Sequence, residues 1–445
     1  MSLLQFLPKI IEESREEYLA SKAGDFVVVE CTGGENILAQ GDNMAFMKYL
    51  AEEKALTGEL NLVYIDPPFF SKTNYGTEIK LHSDKIKKVP ALKQIAYYDR
   101  WDEGLDTYLK MLCVRFYMIK DLLADDGCLW VHLDWHAAHY VKVLLDEIFG
   151  EKQFINEIIW NYKSGGSSKK HFAKKHDTLL FYSKTSKYYF KPQKEKSYNR
   201  GYKPYRFKGV KEYRDELGWY TMVNMKDVWQ IDMVGRTAAE RTGYVTQKPE
   251  ALLERVIESC TCEGDLCADF FGGAGTLAAA AEKLGRKWIS CDIGKLAVIN
   301  QQKRLAGTKF SLLEQQTNEN KSSLPSIDIK VDLQPIEFTD KVLLTIDLLK
   351  YTLSTLHNIP VDEKNKVVIK KIMKEDSLQL VDYWSIDCHY DGLTHRPQKL
   401  IAKDKSGLNC HFENMGNYFD RISIRIVDIF GNSLLRAFRI GDKIT

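Results

Sequence analysis

The chain has 445 residues, 44% of them hydrophobic, which is ample for a buried core and, on length, for two or three domains. Charged residues make up 28%, yet the net charge is only +2, so a globally basic nucleic-acid binder is excluded and any such affinity must come from a local patch. No stretch approaches about 20 uninterrupted apolar residues, and no basic segment leads into an apolar run at the N-terminus, so neither a membrane span nor a secretory signal is expected.

In chain order, a first helix is expected after Pro8. Residues 36–53 read as a short strand, a Gly41-Asp42-Asn43 turn and an amphipathic helix. Leu60 to Ile65 is a short apolar run with β-branched members, stopped by Pro67, which reads as a buried strand. Phe70 to Asp102 has no period and many polar residues, so a long loop is expected. Residues 106–127 carry apolar groups at helical spacing up to Gly127. "CLWVHLD" follows as a strand, then a helix through Phe149, then "NEIIWNY" and "DTLLFYS" as strands. "EALLERVIESC" reads as a helix, "DLCADFF" as a strand, "GTLAAAAEKLG" as a helix and "KWISCDI" as a strand. This alternation over roughly 280 residues predicts a mainly parallel sheet with helices on both faces.

Two regions break the alternation. Lys184 to Tyr220 is basic and aromatic with little periodicity. After Gly307 the chain turns polar and linker-like. Beyond it, "DKVLLTIDLLKYTLSTLH" (340–357) reads as a helix. "KVVIKKI", "LQLVDYWSID", "KLIAK", "RISIRIVDIFG" and "SLLRAFRI" read as strands of a separate C-terminal β-rich domain. The nine cysteines are scattered, as expected of reduced thiols in a cytoplasm. Cys260, Cys262 and Cys267 lack paired spacing, and His132, His136 and His139 straddle a strand end, so no metal site is expected.

Two constellations carry chemistry. In "CADFFGGAGTLAAAAEKLGRKWISCDI", Gly272, Gly273 and Gly275 permit close backbone approach to a ligand at the carboxyl edge of the sheet. Asp292, 17 residues beyond Gly275, is placed to hydrogen-bond ribose hydroxyls. A glycine-rich turn of any α/β fold would look similar, and the GxGxxG of dinucleotide binders is missing. The other constellation is "LVYIDPPFF", where a buried strand ends in Asp66-Pro67-Pro68-Phe69. The Asp66 carboxylate and the Pro67 carbonyl, held rigid by prolines, can accept both hydrogens of one exocyclic amine. That favours a pyramidal nitrogen and frees its lone pair, while Phe69 offers a plane for a base. Phe70 is either a second stacking ring or core filler.

"DPPF" together with "DFFGGAGT" resembles the S-adenosylmethionine-dependent amino-methyltransferases of DNA. The order, catalytic motif first and cofactor motif about 200 residues later, resembles their beta class, which includes modification subunits of type III restriction systems. "TGYVTQKPEALLERVI" and "MKDVWQI" are similar to further segments of that class, with Val245 where proline is usual. Phe270, Gly272 and Ala274 depart from the cofactor motif; Asp269, Phe271, Gly273, Gly275 and Thr276 match it.

The resemblance implies a Rossmann-like methyltransferase sheet of circularly permuted motif order, with a target-recognition insertion and a C-terminal β-rich domain. The expected division is 1–29 as a helical extension, 30–183 as the catalytic half, 184–222 as the insertion, 223–306 as the cofactor half and 307–445 as the accessory domain. It further implies S-adenosylmethionine as cofactor, with Asp42 near its adenine and Lys248 near its methionine end. Asp66 in the first motif position resembles adenine-N6 enzymes more than cytosine-N4 enzymes.

The basic-aromatic stretch suits duplex DNA: cations neutralise phosphate and rings stack on bases. Lys191, Arg200, Lys203, Arg206 and Lys208 are the expected phosphate contacts. Lys72, Asn74 and Tyr75 are placed to grip a flipped target base, because the amine cannot be reached inside the duplex. The expected activity is adenine-N6 methylation of specific DNA sites in a restriction-modification or related system, without a metal. Cytosine-N4 or RNA methylation stays open as an alternative, as do an oxidoreductase and a non-catalytic DNA-binding module. A second copy of the chain and a restriction or helicase-nuclease subunit are candidate partners.

Overall fold

A computed structural model describes residues 3–79, 81, 92–101, 104–164, 166, 168–316, 325–353, 361, 363–404 and 406–440. Helix α1 (Leu3–Ala20) includes Pro8 rather than starting after it. Strands β1 (Phe26–Cys31) and β2 (Asn36–Gln40) lead to α2 (Asn43–Glu52). The Asp42 carboxylate caps α2 by accepting the Ala45 N–H at 2.9 Å. Then follow β3 (Leu60–Ile65), β4 (Thr73–Ile79), β5 (Leu92–Asp99), α3 (Leu105–Leu122), β6 (Leu123–Leu133) and α4 (Ala138–Phe149). Next come β7 (Phe154–Asn161), β8 (His176–Ser183), β9 (Lys194–Tyr198), β10 (Glu212–Asp215), β11 (Gly218–Asn224) and β12 (Val228–Gln230). The α/β part ends with α5 (Glu250–Cys260), β13 (Leu266–Asp269), α6 (Thr276–Lys283), β14 (Lys287–Asp292), α7 (Lys295–Arg304) and β15 (Phe310–Gln315).

These elements form a ten-stranded sheet in the order β1-β15-β2-β14-β13-β3-β6-β8-β7-β12. The six strands from β15 to β6 are mutually parallel, while β1 and β8 pair antiparallel to their inner neighbours. Strand alternation sorts the core to two faces. Val63 and Ile65 of β3 pack with residues of α2, α3 and α4; Leu62 and Tyr64 pack with those of α5, α6 and α7. The result is a three-layer α/β fold of Rossmann type. The chain steps from β3 to β6 in one direction and from β13 to β14 in the other. The reversal falls between β13 and β3, and ligands of such sheets bind at the carboxyl ends beside it.

The C-terminal part holds β16 (Ser326–Pro335), β17 (Val342–Thr352), α8 (Glu363–Glu375), β18 (Val381–Asp387), β19 (Lys399–Ala402), β20 (His411–Gly416), β21 (Arg421–Asp428) and β22 (Ser433–Arg439). They form two sheets, β16-β17-β20 and β19-β18-β21-β22, around one apolar cluster. This part docks on the edge of the main sheet through Arg425, whose guanidinium donates to Glu30 of β1 at 3.2 Å and to Glu314 of β15 at 2.9 Å.

Four expectations are corrected. The helix expected over 340–357 is β17 over its described part; Leu344, Ile346 and Leu348 are buried at a spacing of two, and the strand pairs with β16 over its whole length. "KVVIKKI" belongs to α8, with Ile369 and Ile372 buried one turn apart. The helix expected up to Gly127 ends at Leu122, and β6 begins at once with Leu123. The loop expected from Phe70 contains the antiparallel pair β4–β5, whose apolar ends, Ile79, Leu81 and Leu92, pack into the C-terminal core.

Candidate active site

Parallel register brings the two sequence constellations together. Leu62 and Val63 of β3 pair with Cys267 and Ala268 of β13, so Asp66 and the glycine turn leave neighbouring strands on the same edge. The adjacent strands β14 and β2 pair Asp292 with Gln40, just before Asp42. Asp42, Asp292, Asp269 and Asp66 therefore end four strands lying side by side. All four line a cavity of about 700 Å³ with Pro67, Pro68, Phe69, Tyr75, Lys248, Phe271, Gly273 and Thr276.

The Asp66 carboxylate splits its two oxygens. Oδ2 accepts from the Lys248 ammonium, while Oδ1 is buried without a partner. A buried acceptor left open at a cavity wall is a ready place for an N–H donor. Lys248 also stands 5.1 Å above the Phe69 ring. Lys248, expected near the methionine end of a cofactor, lines the cavity in contact with Asp66 and Phe69. The Tyr108 hydroxyl donates to the Pro68 carbonyl at 2.8 Å and holds the loop from the α3 side.

The glycine turn is shaped by its neighbours. A Cβ on Gly272 would lie 2.7 Å from Gln301 Nε2 and would overlap Ser290 Oγ. The Ser290 hydroxyl donates to Gln301 Oε1 at 2.6 Å in that space, which accounts for a glycine at this departure from the motif. Gly275 has φ +71° at the start of α6 and lies outside the cavity lining. Asp292 accepts the Gly273 N–H at 2.8 Å and the Gly294 N–H at 2.7 Å, bridging two turns. Burial raises its carboxyl above the ordinary range, opposed by those two N–H groups. Burial pushes Asp269 well up, although the Phe271 N–H at 2.9 Å opposes it. Phe270 is fully buried and shares the core with α2 and α3.

Residues 60–301, more than half of the chain, match the family described as DNA methylase. The chain belongs to this family. It is 25% identical over 329 residues to the type II methyltransferase M.HinfI of Haemophilus influenzae, covering 71% of this chain and 77% of that one. The Mod subunit of the type III restriction-modification enzyme EcoP15I of Escherichia coli is 23% identical over 168 residues, covering 35% of this chain and 25% of that subunit. Among solved structures, the M1.HpyAVI–S-adenosylmethionine complex aligns with a TM-score of 0.39 and 17% identity over 61% of this chain and 99% of that protein.

The methylase family transfers methyl groups from S-adenosylmethionine to DNA. The cavity fits that cofactor. Gly272 and Gly273 present backbone to the cavity, Asp292 offers acceptors to vicinal hydroxyls, and the acidic side chains along it suit a cationic sulfonium. Arg115, missed in the sequence, holds the wall of the cavity at Asp42. It donates to Asp42 at 3.2 Å and to Asn43 at 2.7 Å, and Asn43 donates to the Phe270 carbonyl at 2.7 Å. A lone arginine in the apolar run "MLCVRFYM" was its only signal.

Beyond Phe69 the methylase cavity continues along β6, β7 and β8, past Asp134, Trp160, Tyr162 and Asp177. The imidazole of His132 bridges the Tyr64 hydroxyl at 2.8 Å and Asp177 at 3.2 Å, and Phe69 stacks on it at 5.8 Å. His132 is thus a support beneath Phe69. Burial opposes the charge of Asp177, but His132, Lys248 and Tyr162 outweigh it and hold the carboxyl below the ordinary range. Asp134 lies above the ordinary range through burial, with His136 opposing. Among the described residues, no group of three His, Cys, Asp or Glu is arranged to hold a metal. No helix among them is long and apolar enough to cross a membrane.

The expected DNA contacts fall in two places. Tyr75 reaches the cavity, while Lys72, just before β4, and Asn74, within it, are exposed and outside the cavity lining. Arg200, Lys203, Arg206 and Lys208 are exposed around the small β10-β11-β9 sheet, apart from the cavity lining. Lys191 is exposed where its N–H donates to the Ser259 carbonyl at 2.8 Å. Phe190, Tyr202, Tyr205 and Phe207 stand exposed among them.

Proposed function

We propose that this methylase transfers the methyl group to the exocyclic N6 of adenine at specific sites in duplex DNA. The observation that carries the reading is the juxtaposition of the Asp66 carboxylate, with one oxygen buried and open, and the glycine turn on the adjoining strand. Bound S-adenosylmethionine supplies an electrophilic methyl group on a sulfonium. Asp42, Asp269, Phe271, Gly273, Thr276 and Asp292 would hold it at the ends of β2, β13 and β14, with Gly275 shaping the turn into α6. On the β3 side, Asp66 accepts one hydrogen of the target amine and the Pro67 carbonyl the other. Two fixed acceptors draw the nitrogen out of conjugation and aim its lone pair along the transfer line. Phe69 stacks on the flipped base from a position fixed by His132. Lys248 keeps Asp66 oriented before the base arrives, and the amine competes for that carboxylate.

Exposed cations interleaved with rings on the β9–β11 insertion support its role in gripping duplex DNA and choosing the site. Lys72, Asn74 and Tyr75 would hold the flipped strand. A restriction-modification or related system is the proposed setting, with work in the cytoplasm where the DNA lies. Stretches shared with a Mod subunit support a restriction or helicase-nuclease partner, and co-purification from the native host tests it. Sedimentation with and without DNA tests a homodimer.

Expression in a methylation-free host, followed by modification-sensitive sequencing, reads base and recognition sequence together. N6-methyladenine at one motif supports the proposal; N4-methylcytosine replaces it with the cytosine reading. Label transferred from tritiated cofactor to RNA but not DNA would replace the DNA substrate. Asp66→Ala is expected to abolish transfer while keeping DNA affinity, and full activity in that variant would sink the catalytic assignment.

A further inference from the structure

The loop that carries Asp66 does not hold itself. Phe70 and Lys72, immediately after the motif, have φ values of +63° and +60°. Bulky side chains avoid this left-handed region, and such residues persist only where surrounding groups force them. At Phe70 the group in place to do so is Asp99, 33 residues beyond Asp66 at the end of β5. Its Oδ1 accepts the Phe70 N–H at 2.9 Å and its Oδ2 accepts the Ser71 N–H at 2.7 Å. Trp101 donates its indole N–H to Oδ1 at 3.3 Å. Asp99 is fully buried, so its carboxylate depends on these donors.

The β4–β5 pair brings these groups together. Thr73 pairs with Asp99 and Tyr75 with Tyr97, whose rings stack at 4.9 Å. The Tyr75 hydroxyl donates to Ser71 Oγ at 3.1 Å, a second tie from the same pair of strands to the same turn.

We propose that Asp99 is a positioning residue for methyl transfer: it clamps the Phe70–Ser71 turn and thereby fixes the direction in which Asp66 and the Pro67 carbonyl face the target amine. This rests on the reading of Asp66–Phe69 as the catalytic loop. Asp99 also lines the cavity, but in this role it acts through the Phe70–Ser71 turn, with both of its oxygens taken up by N–H donors. Its loss should act on kcat and leave cofactor affinity, set by the β13–β14 side, in place.

The test compares Asp99→Asn and Asp99→Ala with the parent protein. Asparagine keeps the volume but offers one of the two N–H groups a donor instead of an acceptor. The expected result is a kcat about 10- to 100-fold lower, as for small misplacements of reacting groups, with S-adenosylmethionine and duplex affinities within two-fold. Asp99→Ala should lose more in the same pattern. Rates are divided by the fraction of protein that binds cofactor, so a loss that vanishes on this division is a folding defect and overturns the proposal. A kcat within two-fold of the parent does the same. Phe70→Gly supplies a second readout, because glycine adopts positive φ without strain. The Asp99→Asn loss should shrink in that background, and strictly additive losses would overturn the clamp. Asp66→Ala is assayed alongside. If it stays active, the catalytic reading fails; if it is inactive while Asp99→Asn matches the parent, only the clamp fails.

Discussion

Replacing Arg425 by alanine should undo the docking of the C-terminal domain. Its guanidinium donates to Glu30 at 3.2 Å, to Glu314 at 2.9 Å and to the Tyr383 hydroxyl at 3.0 Å. Only 5% of the Arg425 side chain and 2% of the Glu30 side chain are exposed. Truncation leaves the Glu30 carboxylate buried without its cation, a change that costs about 3–5 kcal/mol when one partner of a buried pair is removed. At about 2–4 °C per kcal/mol for a cooperative unit of 150–250 residues, the melting temperature should fall by roughly 6–20 °C. The deficit should also depend on pH. Burial holds the Glu30 carboxyl above its ordinary range, and Arg425 is the group that opposes this. A carboxyl raised in the folded state contributes stability at low pH and loses it as pH rises through the folded value. The variant should therefore lie closer to the parent at pH 5 than at pH 8. Calorimetric melts at both values, together with the double variant Arg425→Met/Glu30→Gln, check the reasoning. Removing both charges should recover at least half of the loss. A single variant melting within about 2 °C of the parent at pH 8 would show that the pair does not hold the domains.

Gly272→Ala should raise the Kd for S-adenosylmethionine about ten-fold or more, because the new methyl group meets the Ser290–Gln301 pair and overpacking costs about 1–3 kcal/mol. Titration calorimetry reads it, and an unchanged Kd and melt would refute the cradle. The double variant Lys203→Gln/Arg206→Gln should flatten the slope of log affinity against log salt by about 0.9 for each phosphate no longer neutralised, without changing the base methylated. An unchanged slope would remove those residues from the DNA surface. His395 is pushed down to about 3 by burial, with Arg425 adding, between the hydroxyls of Ser385 at 2.8 Å and Ser423 at 2.7 Å. A depressed histidine stabilises above its unfolded value and loses that contribution as pH falls, so stability should drop by up to about 1.4 kcal/mol per pH unit below 6.5. His395→Gln should remove that slope in acid denaturation, and a slope that persists would refute it.

The α/β part is legible because each signal in it is local. Ile65-Asp66-Pro67 announces a strand end by its proline, and the Gly272–Gly275 turn announces another by its glycines. Where the sequence misleads, tertiary context decides. Leu343, Leu344, Leu348 and Leu349 in β17 fit helical spacing as well as strand alternation, and only pairing with β16 selects the strand. Asp99 and Arg115 are illegible for another reason. Each acts through a partner far away in the chain, Phe70–Ser71 for one and Asp42–Asn43 for the other, and nothing in "YDRW" or "CVRF" points to those partners.

The order of the two motifs along the chain matters little to the chemistry, and the sheet shows why. Asp66 and Asp269 are about 200 residues apart in sequence, but their strands are hydrogen-bonded neighbours. A parallel sheet sets the spacing of its strand ends by backbone pairing, about 4.8 Å from one strand to the next, whatever the connections between them. A cofactor turn on β13 and an acceptor loop on β3 are then held at a fixed offset by the most rigid part of the molecule. What the backbone ladder does not fix is the turn beyond Pro68, which leaves the sheet. That is where Tyr108 and Asp99 bind main-chain groups, and where the chain adopts positive φ at Phe70. The division of labour follows from distance to the ladder: strand pairing sets where Asp66 and the glycine turn stand, and side chains borrowed from α3 and β5 bind the main chain of the loop that carries Asp66.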